Sequence, residues 1–209
     1  LHVDGAYGGV LAIVPENRYL LDGVDAGADS LVVNPHKWLF TPMDCSVLYT
    51  RQPEVLRETF SLVPEYLKTP DSAEVNYMDY GLQLGRRFRA LKLWFLFEHY
   101  GIARMQAVIR QHVADAERLA AELQKRDDVE LLAPQSLSVV VFRKIVRDSN
   151  GTIDEAASER TSVEALERMN ASGRLFVSHT RLRNHYGIRV AIGNGATEWE
   201  HVARVLDYV

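Results

Sequence analysis

Residues 1–50 alternate short apolar runs with turns made of glycine and proline. Leu1-His2-Val3-Asp4 reads as the tail of a β-strand. It gives way to a turn holding Gly5, Gly8 and Gly9, and then to a segment through Leu20 and Leu21. Ser30-Leu31-Val32-Val33, bounded by Gly27 and Pro35, has the composition of a buried parallel strand. Equivalent strand ends roughly 30 residues apart match a crossover unit. A further strand is predicted from Cys45 to Thr50. Short buried strands in this arrangement are the grammar of an α/β fold. A buried strand rarely opens a domain, so the start at Leu1 carries the expectation of more sequence upstream.

The pattern changes over 61–85, where Pro64, Pro70, Gly81 and Gly85 interrupt a stretch with no sustained apolar period. Loops longer than about 12–15 residues are usually functional or disordered, and a mobile flap is expected here. Helical spacing returns over 86–124. Phe88, Leu91, Phe95 and, past a break at Gly101, Met105, Val108, Val113, Ala116, Leu119 and Leu123 fall near one face. That stripe is expected to be core. Beyond it the pattern predicts a strand over 137–142 and a helix opened by a capping box from Thr161 to Glu164 and ended before Gly173. Strands near 175–177 and 188–192 follow, then a last helix with a capping box from Thr197 to Glu200. The predicted organisation is part of a large α/β domain over 1–90 and a small α+β domain over 91–209.

Composition narrows the function. The chain is 47% hydrophobic and 25% charged, as in ordinary globular proteins. Its 24 basic and 28 acidic residues are scattered rather than gathered into a stripe, which disfavours a nucleic-acid partner. Cys45 is the single cysteine, so neither a disulfide framework nor a cysteine metal cluster is available. No apolar run reaches the roughly 20 residues that span a bilayer. A cytoplasmic protein without metal or membrane association is expected.

Two residues suggest chemistry. If the first two strands are parallel neighbours, Asp4 and Lys37 emerge together at their carboxyl ends, where open α/β sheets hold ligands. A reachable, partly desolvated lysine can form a Schiff base. A carboxylate opposite a pyridine ring keeps the ring nitrogen protonated and makes the ring an electron sink. Taken alone, such a pair is more often a solvated carboxylate and a surface ammonium.

The local words go further. His2-Val3-Asp4-Gly5-Ala6-Tyr7-Gly8-Gly9 followed by Asn34-Pro35-His36-Lys37-Trp38-Leu39 resembles the signature of the group II pyridoxal-dependent decarboxylases, the family of aromatic-amino-acid, histidine and glutamate decarboxylases. Met43-Asp44-Cys45-Ser46, Pro64-Glu65-Tyr66-Leu67-Lys68 and the run from Leu84 to Trp94 look like further family segments in family order. The likeness thins after about residue 125, and Gly5 stands where the family usually has alanine.

The resemblance implies fold type I, the aspartate-aminotransferase-like fold, and pyridoxal 5'-phosphate as cofactor. By the same resemblance Asp4 binds the pyridine nitrogen, Ala6 packs on the ring and Lys37 carries the cofactor. His36 lies beside the cofactor or is a structural histidine at the strand end. Tyr66, on the flap, is the proton donor to the carbanion, and a phenol with a pKa near 10 holds its proton at neutral pH. Tyrosine there, rather than phenylalanine, points to plain decarboxylation instead of aldehyde formation. Arg189 meets the substrate carboxylate or its surroundings, and an arginine inside an apolar run is expected to be paired.

Trp38 and the Met-Asp-Cys-Ser word resemble the aromatic-amino-acid branch of the family more than the glutamate branch, which implies an aromatic L-amino acid as substrate and leaves histidine and smaller substrates open. A homodimer is implied, with the cofactor's phosphate loop and ring-stacking residue upstream of the Asp4 word, so the 209-residue chain alone is expected to be inactive. Another fold type I enzyme such as an aminotransferase, and a non-catalytic dimerisation remnant, are the competing readings. Arg86 and Arg87 read as structural, Cys45 as a small buried hydrophobe, and His99, His112, His179, His185 and His201 as surface or satisfied histidines.

Overall fold

The computed structural model describes residues 1–61 and 75–209. It divides into two compact units, Leu1–Ile102 and Ala103–Val209. The break falls after Ile102, beyond position 90, and keeps the first helix of the 86–124 stretch with the first unit.

In the first unit, β1 (His2–Asp4), β2 (Ser30–Val33) and β3 (Val47–Thr50) form a sheet in that order. β1 runs parallel to β2, with Asp4 opposite Val32, and β3 is antiparallel to β2. The crossover is built from two 3₁₀ turns, Gly8–Ile13 and Pro15–Leu21, and the one-turn α1 (Val24–Gly27). Val10, Leu11 and Val14 are its buried residues. Gly9 is required by close approach, because a Cβ there would come within 2.8 Å of Val33 Cγ2. α2 (Pro35–Trp38), α3 (Pro53–Phe60) and α4 (Ala90–Tyr100) complete the described part. α4 stops at Gly101, whose φ of 73° glycine adopts without strain.

Two expectations change here. The strand predicted from Cys45 begins at Val47, because the Cys45 peptide bonds to His36 instead of to β2. The apolar stripe is not all core: Phe88 and Phe95 are 73% and 57% exposed, and α4 has no buried residue. Periodicity identifies the face that favours burial, not what covers it.

The second unit is an antiparallel four-stranded sheet in the order β4 (Val129–Leu131), β5 (Val139–Lys144), β7 (His185–Ala191), β6 (Ser178–Leu182). Its helices are α5 (Ile102–Gln124), α6 (Glu155–Ala171) and α7 (Trp199–Ala203). Ala116, Leu119 and Leu123 of α5 meet Phe142, Ile188 and Val190 of the sheet and Met169 of α6 in one core. Each buried aliphatic or aromatic side chain contributes about 1.5–3 kcal/mol.

Several boundaries shift. Leu137, with φ of 55°, lies in a turn before β5. α6 starts at Glu155, capped by the Asp154 carboxylate, which accepts Ala157 N–H at 2.9 Å. Thr161 lies inside that helix and donates to the Ala157 carbonyl, so its spacing to Glu164 mimicked a cap without being one. The strand expected over 175–177 begins only at Ser178, because the Asn170 side chain holds both polar groups of the Val177 backbone. The next strand starts earlier than predicted, at His185, after a tight turn with Arg183 and Asn184 at φ 50° and 67°. α7 is capped by Glu198 with His201, not by Thr197 with Glu200. Among the described residues no helix is long and apolar enough to cross a membrane.

Candidate active site

β1 ends at Asp4. Its Oδ1 accepts the Ala6 N–H at 2.9 Å, which orients the carboxylate at the strand end and leaves it exposed. The Ala6 carbonyl accepts the Asn34 N–H at 3.1 Å, so the segments leaving β1 and β2 are joined. Asn34 Oδ1 in turn accepts the Ser46 hydroxyl at 2.6 Å. A Cβ on Gly5 would lie 3.0 Å from the Val32 carbonyl oxygen, which is why glycine suits this chain's turn.

Asn34 precedes α2, which opens on Pro35 and carries His36 and Lys37. Lys37 is exposed, while Pro35 and Trp38 are buried. Trp38 stacks on Tyr7 with ring centroids 5.0 Å apart and planes 7° from parallel. His36 accepts the Cys45 N–H at Nδ1 (3.0 Å) and donates its own N–H to the Cys45 carbonyl (3.2 Å). An Nδ1 used as acceptor leaves the proton of a neutral ring on Nε2. These bonds give the structural role of His36 a physical basis without consuming Nε2.

The neighbouring turn is fixed from α4. Arg89 Nε donates to Asp44 at 2.7 Å, and Lys92 Nζ to the carbonyls of Pro42 and Asp44 at 3.0 and 2.7 Å. The Arg89 hydrogen bond holds the Asp44 carboxyl below the usual carboxylate range. Burial pushes the Cys45 thiol up, which keeps it an inert hydrophobe although it lies outside a strand. Sequence reasoning missed Arg89, Lys92 and Asn34. Their only signal is a polar side chain between apolar neighbours, and many solvated residues share it.

Tyr66 falls in 62–74, outside the described residues, as does most of the predicted flap. In its described part Arg86 donates to the Tyr77 carbonyl, a structural tie. Arg189 belongs to the second unit, in the middle of β7 between Val141 and Ser178. The expected pairing is not observed: among the described residues Arg189 makes no ion pair, and because it is only half-buried water can solvate it. The buried arginine that needs partners is Arg143, 5% exposed. It donates to Glu130 at 2.6 Å and Glu155 at 2.5 Å and lies 2.7 Å from His185 Nδ1. His112 also departs from a surface reading. It is wholly buried, and burial pushes its imidazole below the ordinary 6.5, against the opposing pull of the Asn194 backbone and Asp115.

The oriented Asp4 carboxylate thus ends β1, and the exposed Lys37 amine lies in α2 just past the neighbouring β2. The model of the pyridoxal-dependent decarboxylase conserved domain matches residues 1–145. The chain belongs to this family. Tyrosine decarboxylase 4 of Petroselinum crispum is 41% identical over 206 residues, covering 97% of this chain and 40% of that protein. Phenylacetaldehyde synthase of a Rosa hybrid cultivar is 38% identical, covering 100% and 42%. Among solved structures, Oryza sativa TDC with PLP and tryptamine superposes with a TM-score of 0.89 at 35% identity, covering 99% of this chain and 42% of that one.

The chain therefore spans about 40% of the length of the curated relatives it matches. The fold is the fold type I arrangement, and the family's cofactor is pyridoxal phosphate. Asp4 and Lys37 fit that group in chemistry: a carboxylate for the ring nitrogen and an amine for the aldehyde carbon.

Proposed function

We propose that the protein decarboxylates an aromatic L-amino acid to its amine, with pyridoxal phosphate carried on Lys37. The observation that carries this reading is that Asp4 ends β1 and Lys37 lies in α2 just past the adjacent parallel β2, the two segments being joined by the Asn34–Ala6 hydrogen bond. Bound there, the cofactor supplies a sink for the electron pair left when the Cα–carboxylate bond breaks. Asp4, oriented by the Ala6 N–H, keeps a proton on the ring nitrogen. Ala6 would offer a small side chain against the ring, and the Lys37 amine would hold the group at its aldehyde carbon. Tyr66 delivers a proton from its hydroxyl to Cα once carbon dioxide has gone. His36, clamped through Nδ1, keeps Nε2–H available beside the cofactor. Arg189 meets the substrate carboxylate or its surroundings.

The aromatic substrate class is supported by the tyrosine and tryptophan decarboxylases among the relatives. A homodimer is supported by the exposed apolar residues of α4, since a large apolar patch marks an interaction surface. A cytoplasmic location is supported by the single cysteine.

The test supplies the intact protein with L-tyrosine, L-tryptophan and L-DOPA, and follows carbon dioxide, amine, aldehyde and keto acid. Carbon dioxide with amine in equal amounts, abolished by Lys37→Ala, is the expected result. Keto acid without carbon dioxide would make it an aminotransferase. Aldehyde in place of amine would give it the reaction named by its rose relative and overturn the role assigned to Tyr66.

A further inference from the structure

We infer that Tyr7 and Trp38 are a positioning pair, a stacked brace that sets the direction of Lys37 relative to Asp4. The inference rests on reading those two as the cofactor residues. α2 is one turn long, and so short a helix has no stability of its own, because its first hydrogen bond fixes several dihedrals at once. What its side chains pack on must therefore set its orientation. Pro35 and Trp38 are the buried pair, three residues apart and on one face. With each residue turning the helix by about 100°, burying positions 35 and 38 leaves 36 and 37 facing the other way. Lys37 is exposed for that reason.

Trp38 has no exposed surface and is the largest wholly buried side chain among the described residues. Its ring lies flat on that of Tyr7, three residues beyond Asp4 in the segment that Asp4 itself holds through the Ala6 N–H. The residue after the lysine is thus stacked on the residue after Ala6. The Asn34–Ala6 hydrogen bond fixes how far apart the two segments lie, and the two His36–Cys45 bonds tie α2 to the turn before β3, but neither of those joins the roll of α2 to the segment that carries Asp4. Two parallel rings resist that roll. Because Lys37 Nζ sits at the end of a long side chain, a small roll displaces it more than any backbone atom. A displacement of about 1 Å between reacting groups can cost up to about 100-fold in rate.

The test uses the intact holoenzyme and begins at Tyr7, which is only half-buried and tolerates exchange better than Trp38. Tyr7→Leu is expected to lower kcat about tenfold with KM moved less than about threefold, and to shift the pH titration of the visible band of the lysine-linked cofactor. Tyr7→Phe keeps the ring and should restore both. Trp38→Leu should give the same defect, and the double variant should be no worse than either single one, as for residues acting as a unit. A Tyr7→Leu enzyme with unchanged kcat and band titration overturns the brace. So does a loss shared by Tyr7→Phe that only follows the urea midpoint, because that is the mark of core packing. Borohydride trapping of the wild type separates the two ideas. Label on Lys37 with an unaffected Tyr7→Leu removes the brace alone, and label on another residue removes the site reading together with it.

Discussion

At the scale of single residues, charge burial separates Arg143 from Arg189. Both lie in apolar strands, but only Arg143 is withdrawn from water, and it has two carboxylates and an imidazole around it. Glu130 and Glu155 keep side-chain exposures of 42% and 55%, so either can be solvated if the guanidinium goes. The guanidinium has no such recourse. Arg143→Met should therefore change stability little, because it removes a buried charge and leaves two surface ones. The double variant Glu130→Ala with Glu155→Ala leaves the buried cation without a carboxylate and should cost about 3 kcal/mol or more. Urea unfolding of the three proteins checks this, and equal losses would mean that Arg143 is wetter than its burial indicates.

At the scale of elements, several strands and the longer helices were legible in the sequence, whereas α3, β4 and most boundaries were not. β1, β2 and α5 follow from apolar runs that only a strand or a helix face can hide. The start of α6 did not, because Asp154 and Thr161 offer the same kind of cap and only the backbone shows which one is used. The Asp154 carboxylate accepts Ala157 N–H, whereas Thr161 donates back to the Ala157 carbonyl. Asp154→Ala should accordingly cost about 1 kcal/mol. Thr161→Ala should cost less, since a mid-helix threonine gives up a back-bond for a better helix former. Thermal midpoints of the two variants decide it, and the reverse order would place the working cap at Thr161. β3 began late for a related reason: the Cys45 peptide had a partner in His36 that no local pattern announces.

At the scale of the whole molecule, the candidate site was legible as far as its words are contiguous. Asp4, Ala6, His36 and Lys37 sit in two short words at the ends of adjacent strands, so the words sufficed to name them as candidates. Arg143 and its partners were invisible, because Glu130, Glu155 and His185 come from separate elements and meet only in the folded unit. Lys37 is reachable, as a Schiff-base lysine must be, but its exposure means the described residues do not supply the desolvation such a lysine needs.

Acid should destabilise the folded chain in two stages, for reasons spread over both units. Hydrogen bonds from Arg89, Arg126, Arg143 and Arg181 hold the carboxyls of Asp44, Asp128, Glu155 and Glu159 below their ordinary values of 3.8 and 4.5. Above those values both the folded and unfolded chains are ionised there and the stabilisation is complete. It is lost as pH falls below them toward the lower folded values, because the unfolded chain takes up protons first.

His112 acts earlier and with the same sign. Burial depresses its folded pKa, so as pH falls through 6.5 the unfolded imidazole binds a proton that the folded one refuses. Stability then declines until the folded value is reached, by at most about 1.4 kcal/mol per pH unit for one proton. Urea midpoints of the wild type should begin to fall as pH drops below 6.5, and fall again below about 4.5. In His112→Gln the first decline should flatten while the second remains. If the first decline persisted in the variant, another group would be taking up the proton, and the buried imidazole between α5 and Asn194 would not be its source.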